Sequence, residues 1–106
     1  MSYIYLIKSE HPDMDVYKIG YSKHPEKRID KLKTGNPYPL SLVAKFKTKH
    51  NRLVETTLHN NYGHQKLNGE WFELDFDQVH NFINRCQELE DTFDMLKKAN
   101  NPFLRW

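Results

Sequence analysis

Two short runs rich in β-branched and aromatic residues, "YIYLIK" (Tyr3–Lys8) and "VYKIGY" (Val16–Tyr21), stand seven residues apart. Both read as strands. A parallel pair needs a crossover of a dozen or more residues, so this spacing predicts an antiparallel hairpin. Its longish loop holds the turn signal "HPDMD". The second run stops at Gly20–Tyr21 and gives way to a lysine-rich helix. Ser22 reads as its N-cap, and Pro25 sits near its start, where a missing N–H costs nothing. Ile29 and Leu32 give it a short apolar stripe. Gly35 ends it, and Pro37 and Pro39 prevent its return.

"LSLVAKF" (Leu40–Phe46) reads as a third strand. Leu53, Val54, Thr57, Leu58 and Tyr62 recur at helical spacing, predicting a helix over Asn51–Tyr62. "NGEWFEL" (Asn68–Leu74) is a turn leading into a short strand. Asp75 or Asp77 can cap one last helix, whose apolar positions Val79, Phe82, Cys86, Leu89, Phe93 and Leu96 form a seam. That pattern suits a core-facing face better than a coiled-coil partner surface. The order β-β-α-β-α-β-α predicts an α+β fold, a small sheet with helices packed on it.

At 106 residues one domain, 1–106, is expected, with a core over about 3–75, a C-terminal helix over 76–98 and a tail over 99–106. Phe103 and Trp106 in that tail can pack on the core or meet a partner. One cysteine, Cys86, excludes an internal disulfide framework and a Cys-based zinc site. The start "MSYIYLIKSE" lacks the apolar run of a signal peptide or membrane span, so a soluble intracellular protein with no membrane partner is expected, cytoplasmic, or nuclear or viral in a eukaryotic host. The oligomeric state stays open between monomer and weak dimer. The net charge of +2 hides an asymmetry: residues 1–52 carry 11 Lys/Arg against 5 Asp/Glu, and 53–106 carry 5 against 9. The segment 18–52 alone holds 10 basic and 2 acidic residues. Such a block suits nucleic acid, and Lys23, Lys27, Lys31, Lys45, Lys47, Lys49 and Arg52 are the candidate contacts. A solvated lysine face is the competing reading.

The "YIY" at Tyr3–Tyr5, the "YKIG" at Tyr17–Gly20, Arg28 eight residues after the glycine, and Glu55 on a later helix together resemble the GIY-YIG nuclease superfamily. The likeness is greatest to its phage and large-DNA-virus branch, whose members read Y-K-I-G at the second motif and are often described as DNA-binding domains. Glu55, His59 and "EWFEL" match that branch's Glu, His and aromatic strand. The resemblance covers about residues 3–75. It implies a small, mainly antiparallel three-stranded sheet flanked by helices, and cleavage of phosphodiester bonds with one divalent ion, Mg²⁺ or Mn²⁺. It implies that Glu55 holds the metal, that Arg28 stabilises the pentavalent phosphate, and that tyrosines of the two strand motifs serve the attacking water. An Asn following the metal glutamate in the family corresponds to Asn68.

These assignments make chemical sense. Phosphodiester hydrolysis places extra negative charge on non-bridging oxygens, which a planar, permanently charged guanidinium meets with two parallel hydrogen bonds. A single carboxylate suffices for Mg²⁺, which keeps most of its waters. The chain departs from the family at Lys18, which stands where the second tyrosine is expected, and at Tyr3, which replaces the first glycine. Strand alternation places Lys18 and Gly20 on one face, and Tyr17 and Tyr21 on the other. Tyr5 remains available as the base; Lys18 either takes part in proton transfer or holds a phosphate. His59 reads as a metal neighbour, a proton shuttle or a half-buried histidine bonded to backbone. Three functions follow: a metal-dependent DNA endonuclease or nickase, a non-catalytic DNA-binding module on the same fold, or an interaction domain using the seam of the last helix.

Overall fold

The computed structural model describes residues 1–99, Asn68 as backbone only; Phe103 and Trp106 lie outside the described residues. β1 (Ser2–Glu10) and β2 (Asp15–Ser22) form the expected hairpin, with Glu10 opposite Asp15 and Tyr3 opposite Ser22. β3 (Leu40–Thr48) lies antiparallel along the other side of β1. These long strands make the three-stranded antiparallel sheet that the resemblance implies. Two short strands extend it: β4 (Lys66–Asn68) and β5 (Trp71–Phe72) form a second hairpin, giving the order β3-β1-β2-β5-β4. The strand expected over Asn68–Leu74 is therefore shorter and has a partner before it. Gly69, at φ +59°, opens a two-residue turn with Glu70, so the residues before the glycine pair with those after it.

Each face of the sheet carries its own core. Ile4, Leu6, Tyr17 and Ile19 lie under α2 (Asn51–Asn61) and α4 (Phe82–Lys98), against Val54, Leu58, Phe82 and Cys86. Tyr5 and Ile7 lie on the other face, against Ile29 of α1 (Pro25–Lys33). A bulge in β3 opposite Leu6 and Ile7 lets that strand serve both: Ala44 and Phe46 join the first core, Leu40 and Leu42 the second.

Two local expectations change. Ser22 is not the cap of α1; His24 holds that position, and the Ser22 hydroxyl accepts the His24 N–H at 3.0 Å, ordering the turn before the helix. The single last helix is two, α3 (Phe76–His80) and α4. Asp75 caps α3 through a reciprocal box with Gln78. The Asn81 side chain then donates to the Asp77 carbonyl at 2.9 Å, a local bond that competes with the helical ladder, and the helix restarts at Phe82. The seam is core: Phe82, Cys86, Leu89 and Phe93 are buried, and Val79 and Leu96 pack against them. The seam is therefore turned toward the chain's own core. Burial pushes the Cys86 thiol up to about 12, which leaves it chemically quiet. Among the described residues no helix is long and apolar enough to cross a membrane.

Candidate active site

β5 pairs with β2 only at Tyr17 and Lys18, and the Ile19 N–H reaches the Glu70 carbonyl at 3.4 Å. Past that point α2 covers the outer edge of β2 with two side chains. His59 donates from Nε2 to the Ile19 carbonyl at 2.9 Å, and the Glu55 carboxylate accepts the Tyr21 N–H. The spacing matches on both elements: four residues rise about 6 Å along a helix, and two residues about 6.8 Å along a strand. A glutamate and a histidine four apart thus meet two backbone groups two apart, and the pair fixes how far α2 slides along β2. Of the three readings of His59, the backbone contact is present. A carbonyl only accepts, so Nε2 carries a proton and Nδ1 is the ring nitrogen this contact leaves unused.

The opposite face reaches the same edge. Lys18 is buried, donates to Glu70 Oε2 at 2.6 Å, and lies 5.5 Å from the centre of the Trp71 ring. Tyr5, on β1, pairs in register with Gly20, and its ring lies directly on the glycine. A β-carbon at Gly20 would stand 2.4 Å from the Tyr5 hydroxyl oxygen. Arg28, in the first turns of α1, hydrogen-bonds that hydroxyl. Burial pushes the Tyr5 phenol above its usual range; the Arg28 bond opposes this, and the charges of Glu70 and Glu55 add to it. Half-burial likewise raises the Glu55 carboxyl; Glu70 adds to the rise, while His59 and Lys18 oppose it. The helices carrying Arg28 and Glu55 pack on opposite faces of the sheet; Arg28 bonds the Tyr5 hydroxyl directly, and the charge of Glu55 reaches it from the other side.

Glu55, His59 and Glu70 offer two carboxylate oxygens and one imidazole nitrogen, all within 4.8 Å of one another. Two carboxylates with one imidazole are donors that Mn²⁺ accepts, and the carboxylates alone with water suit Mg²⁺. The chemistry of the donor set therefore fits the implied ion. A second group, His50, Glu90 and Asp94, is also close-set. These groups bond their neighbours: Glu90 accepts from Thr48 Oγ1 at 2.5 Å and from the Lys49 N–H at 2.9 Å, and Asp94 bonds His50 at 2.7 Å. That network ties the β3–α2 turn to α4.

Glu70 was not among the residues singled out from sequence. Its signal is the "NG" before it, which makes it the second residue of a tight turn. Tyr17 is buried in the core beneath α2, and the Tyr21 side chain is exposed, so neither ring joins Tyr5, as strand alternation requires. The Asn68 side chain lies outside the described residues. Lys23, Lys27, Lys31, Lys45, Lys47, Lys49 and Arg52 are all exposed. Lys45 and Lys47 pair in register with Tyr5 and Tyr3, on the Arg28 side of the sheet, where Lys45 also binds Glu26 at 2.6 Å. Lys49 is turned toward Asp94 of α4, at 3.4 Å.

The family model of the T5orf172 domain matches residues 2–87. It describes a phage-associated, nuclease-related type of domain, and points to a nuclease-like or DNA-binding role. No curated protein and no solved structure matches the chain.

Proposed function

The chain belongs to the T5orf172 domain family, and from that premise we propose that it is a metal-dependent DNA endonuclease or nickase, hydrolysing phosphodiester bonds at the edge of β2. The observation that carries this reading is the Tyr5 hydroxyl, bonded to Arg28 and lying in the field of both Glu55 and Glu70. What supports the reading is a permanent cation bonded to a buried phenol, with the charge of a half-buried carboxylate reaching that phenol from the other face of the sheet.

In this reading Arg28 receives the scissile phosphate through its non-bridging oxygens and strengthens its hold as charge develops there. Tyr5 orients the attacking water and, in its ionised form, reached by release of the phenol proton to solvent and favoured by the Arg28 bond, accepts that water's proton; the same bond keeps the ring turned toward the phosphate. Glu55 would hold Mg²⁺ or Mn²⁺, with Glu70 and His59 as neighbouring donors. When bound, the ion makes a water more acidic and neutralises phosphate charge. His59 positions Glu55 by locking α2 to the Ile19 carbonyl. Lys18 holds Glu70 in place. The exposed lysines of α1 and β3 add phosphate contacts, so binding weakens steeply with salt and shows little sequence preference.

One observation favours a second reading, a non-catalytic DNA-binding module. Lys18 replaces the second motif tyrosine and is engaged with Glu70. Plasmid nicking with Mg²⁺ or Mn²⁺ separates the two. Nicking that needs metal and disappears in both Arg28→Ala and Glu55→Ala supports the enzyme. DNA binding without nicking under either metal supports the module. Absence of both binding and nicking at low salt removes both readings.

A further inference from the structure

A groove of about 620 Å³ opens on the α1 face of the sheet. Trp71, Val16, Leu32, Tyr38, His11 and Ser9 are among the residues that line it. Its volume falls in the range of small-molecule sites. Its position relative to the site above is what gives it meaning. Val16 and Lys18 point to the same face of β2, so the groove begins one pleat, about 7 Å, beyond Lys18 and about 14 Å from Gly20. Trp71 belongs to both: its ring lines the groove and also lies 5.5 Å from the Lys18 ammonium. The groove therefore adjoins the Lys18 end of the candidate site through Trp71.

The lining also narrows the occupant. It is mainly apolar and carries three aromatic rings, Trp71, Tyr38 and His11, with Tyr38 stacked on His11 at 4.0 Å between ring centres. The Ser9 hydroxyl, bonded to His11 Nε2 at 3.0 Å, supplies polar groups next to that stack. None of the described lining residues is acidic, and the segment that contributes the groove's α1 side is the basic one. A planar, partly polar group on an anionic chain suits these features. A base within a duplex is stacked on its neighbours and cannot enter.

We propose that the groove receives an unpaired nucleobase of the same strand whose phosphate is held at Arg28, so that the preferred substrate is single-stranded or locally unpaired DNA. The inference rests on the nuclease or DNA-binding reading above. Stacking on Trp71 and Tyr38 supplies affinity that a full duplex cannot use.

The test compares two labelled substrates of one sequence, a full duplex and the same duplex carrying a three-nucleotide gap. Binding is read by fluorescence anisotropy, and Trp71 emission by titration in a Trp106→Phe background. The gapped substrate should bind on the order of tenfold more tightly and quench Trp71. Tyr38→Ala and His11→Ala should erase that advantage while leaving duplex affinity unchanged. Equal affinity for both substrates overturns the inference but leaves the proposed function intact. So does an advantage that survives both substitutions. Failure to bind either DNA at low salt removes the proposed function, and the inference with it.

Discussion

Gly20 offers the most direct test of the site's geometry, because the expected sign is the reverse of the usual one. Its φ is not among the positive values of this chain, which belong to Gly35 and Gly69. The backbone would accept any residue there, and Gly→Ala at such a position ordinarily stabilises by about 0.5–1 kcal/mol. Here an alanine β-carbon would stand 2.4 Å from the Tyr5 hydroxyl oxygen, 2.7 Å from Cζ and 3.2 Å from Cε1, where ordinary contact starts at 3.4 Å. The ring must retreat by about 1 Å, the difference of 3.4 and 2.4. At 2% exposure Tyr5 has no free side toward which to move. Overpacking of this kind costs about 1–3 kcal/mol, so Gly20→Ala should destabilise by about 1–2 kcal/mol net. The check is a double-mutant cycle by urea unfolding with Tyr5→Leu, which removes the far end of the ring. In that background Gly20→Ala should be neutral or stabilising, a coupling of about 1–3 kcal/mol. A displaced Tyr5 also loses its Arg28 bond, so nicking should fall about 100-fold in Gly20→Ala. Equal destabilisation in both backgrounds would refute the claim that the glycine exists to admit the tyrosine.

Three further outcomes follow from named contacts. Arg28→Lys keeps the charge but not the planar fork, so nicking should fall about 10²–10³-fold with unchanged DNA affinity and melting temperature. Glu55 binds its proton more tightly folded than unfolded, so its contribution to stability is present at low pH and lost as pH rises through its folded value, above the usual carboxylate range. Glu55→Gln should therefore abolish nicking yet raise the melting temperature at neutral pH, by a margin that shrinks as pH falls toward 4, the usual carboxylate value. Glu90→Leu strands the Thr48 hydroxyl and the Lys49 N–H, so urea unfolding should show a loss of about 1–3 kcal/mol, while nicking per folded molecule stays constant.

The long elements were legible because periodicity records them. Alternation in Tyr3–Lys8 and Val16–Tyr21, and the seam from Val79 to Leu96, report which side of each element is buried, and the seam kept its meaning even though Asn81 divides the helix. The short β4–β5 hairpin has too few residues for a period; only the "NG" marks it. Glu70 is invisible to periodicity for that reason, since its importance comes from a turn that carries it across to Lys18. The role of Ser22 was misplaced because a serine before a helix can cap it or order the approach, and only the backbone path decides. Glu55 and His59 were legible as a pair four residues apart. Their reason for that spacing lies in two backbone groups on a distant strand, which no local pattern contains.

The pair formed by Lys18 and Glu70 decides what replaces the second tyrosine. If Lys18 mainly holds Glu70, it competes with a cation for that carboxylate and lowers the proton affinity of Glu55 beside it. Lys18→Met then has two linked consequences of opposite direction. At pH 8 the freed carboxylates should bind Mn²⁺ at lower concentration, visible as a metal-induced rise in melting temperature that starts earlier than in the parent chain. At lower pH the loss of the neighbouring cation should push the Glu55 carboxyl further up, so the acid limb of the nicking profile should move to higher pH. A Lys18 that acts as general base gives a different signature: nicking is lost at every pH, and the metal concentration needed for half the thermal shift does not change. An unmoved metal requirement, with activity gone throughout, would assign the proton transfer to Lys18 and leave Tyr5 as a positioning residue for Arg28.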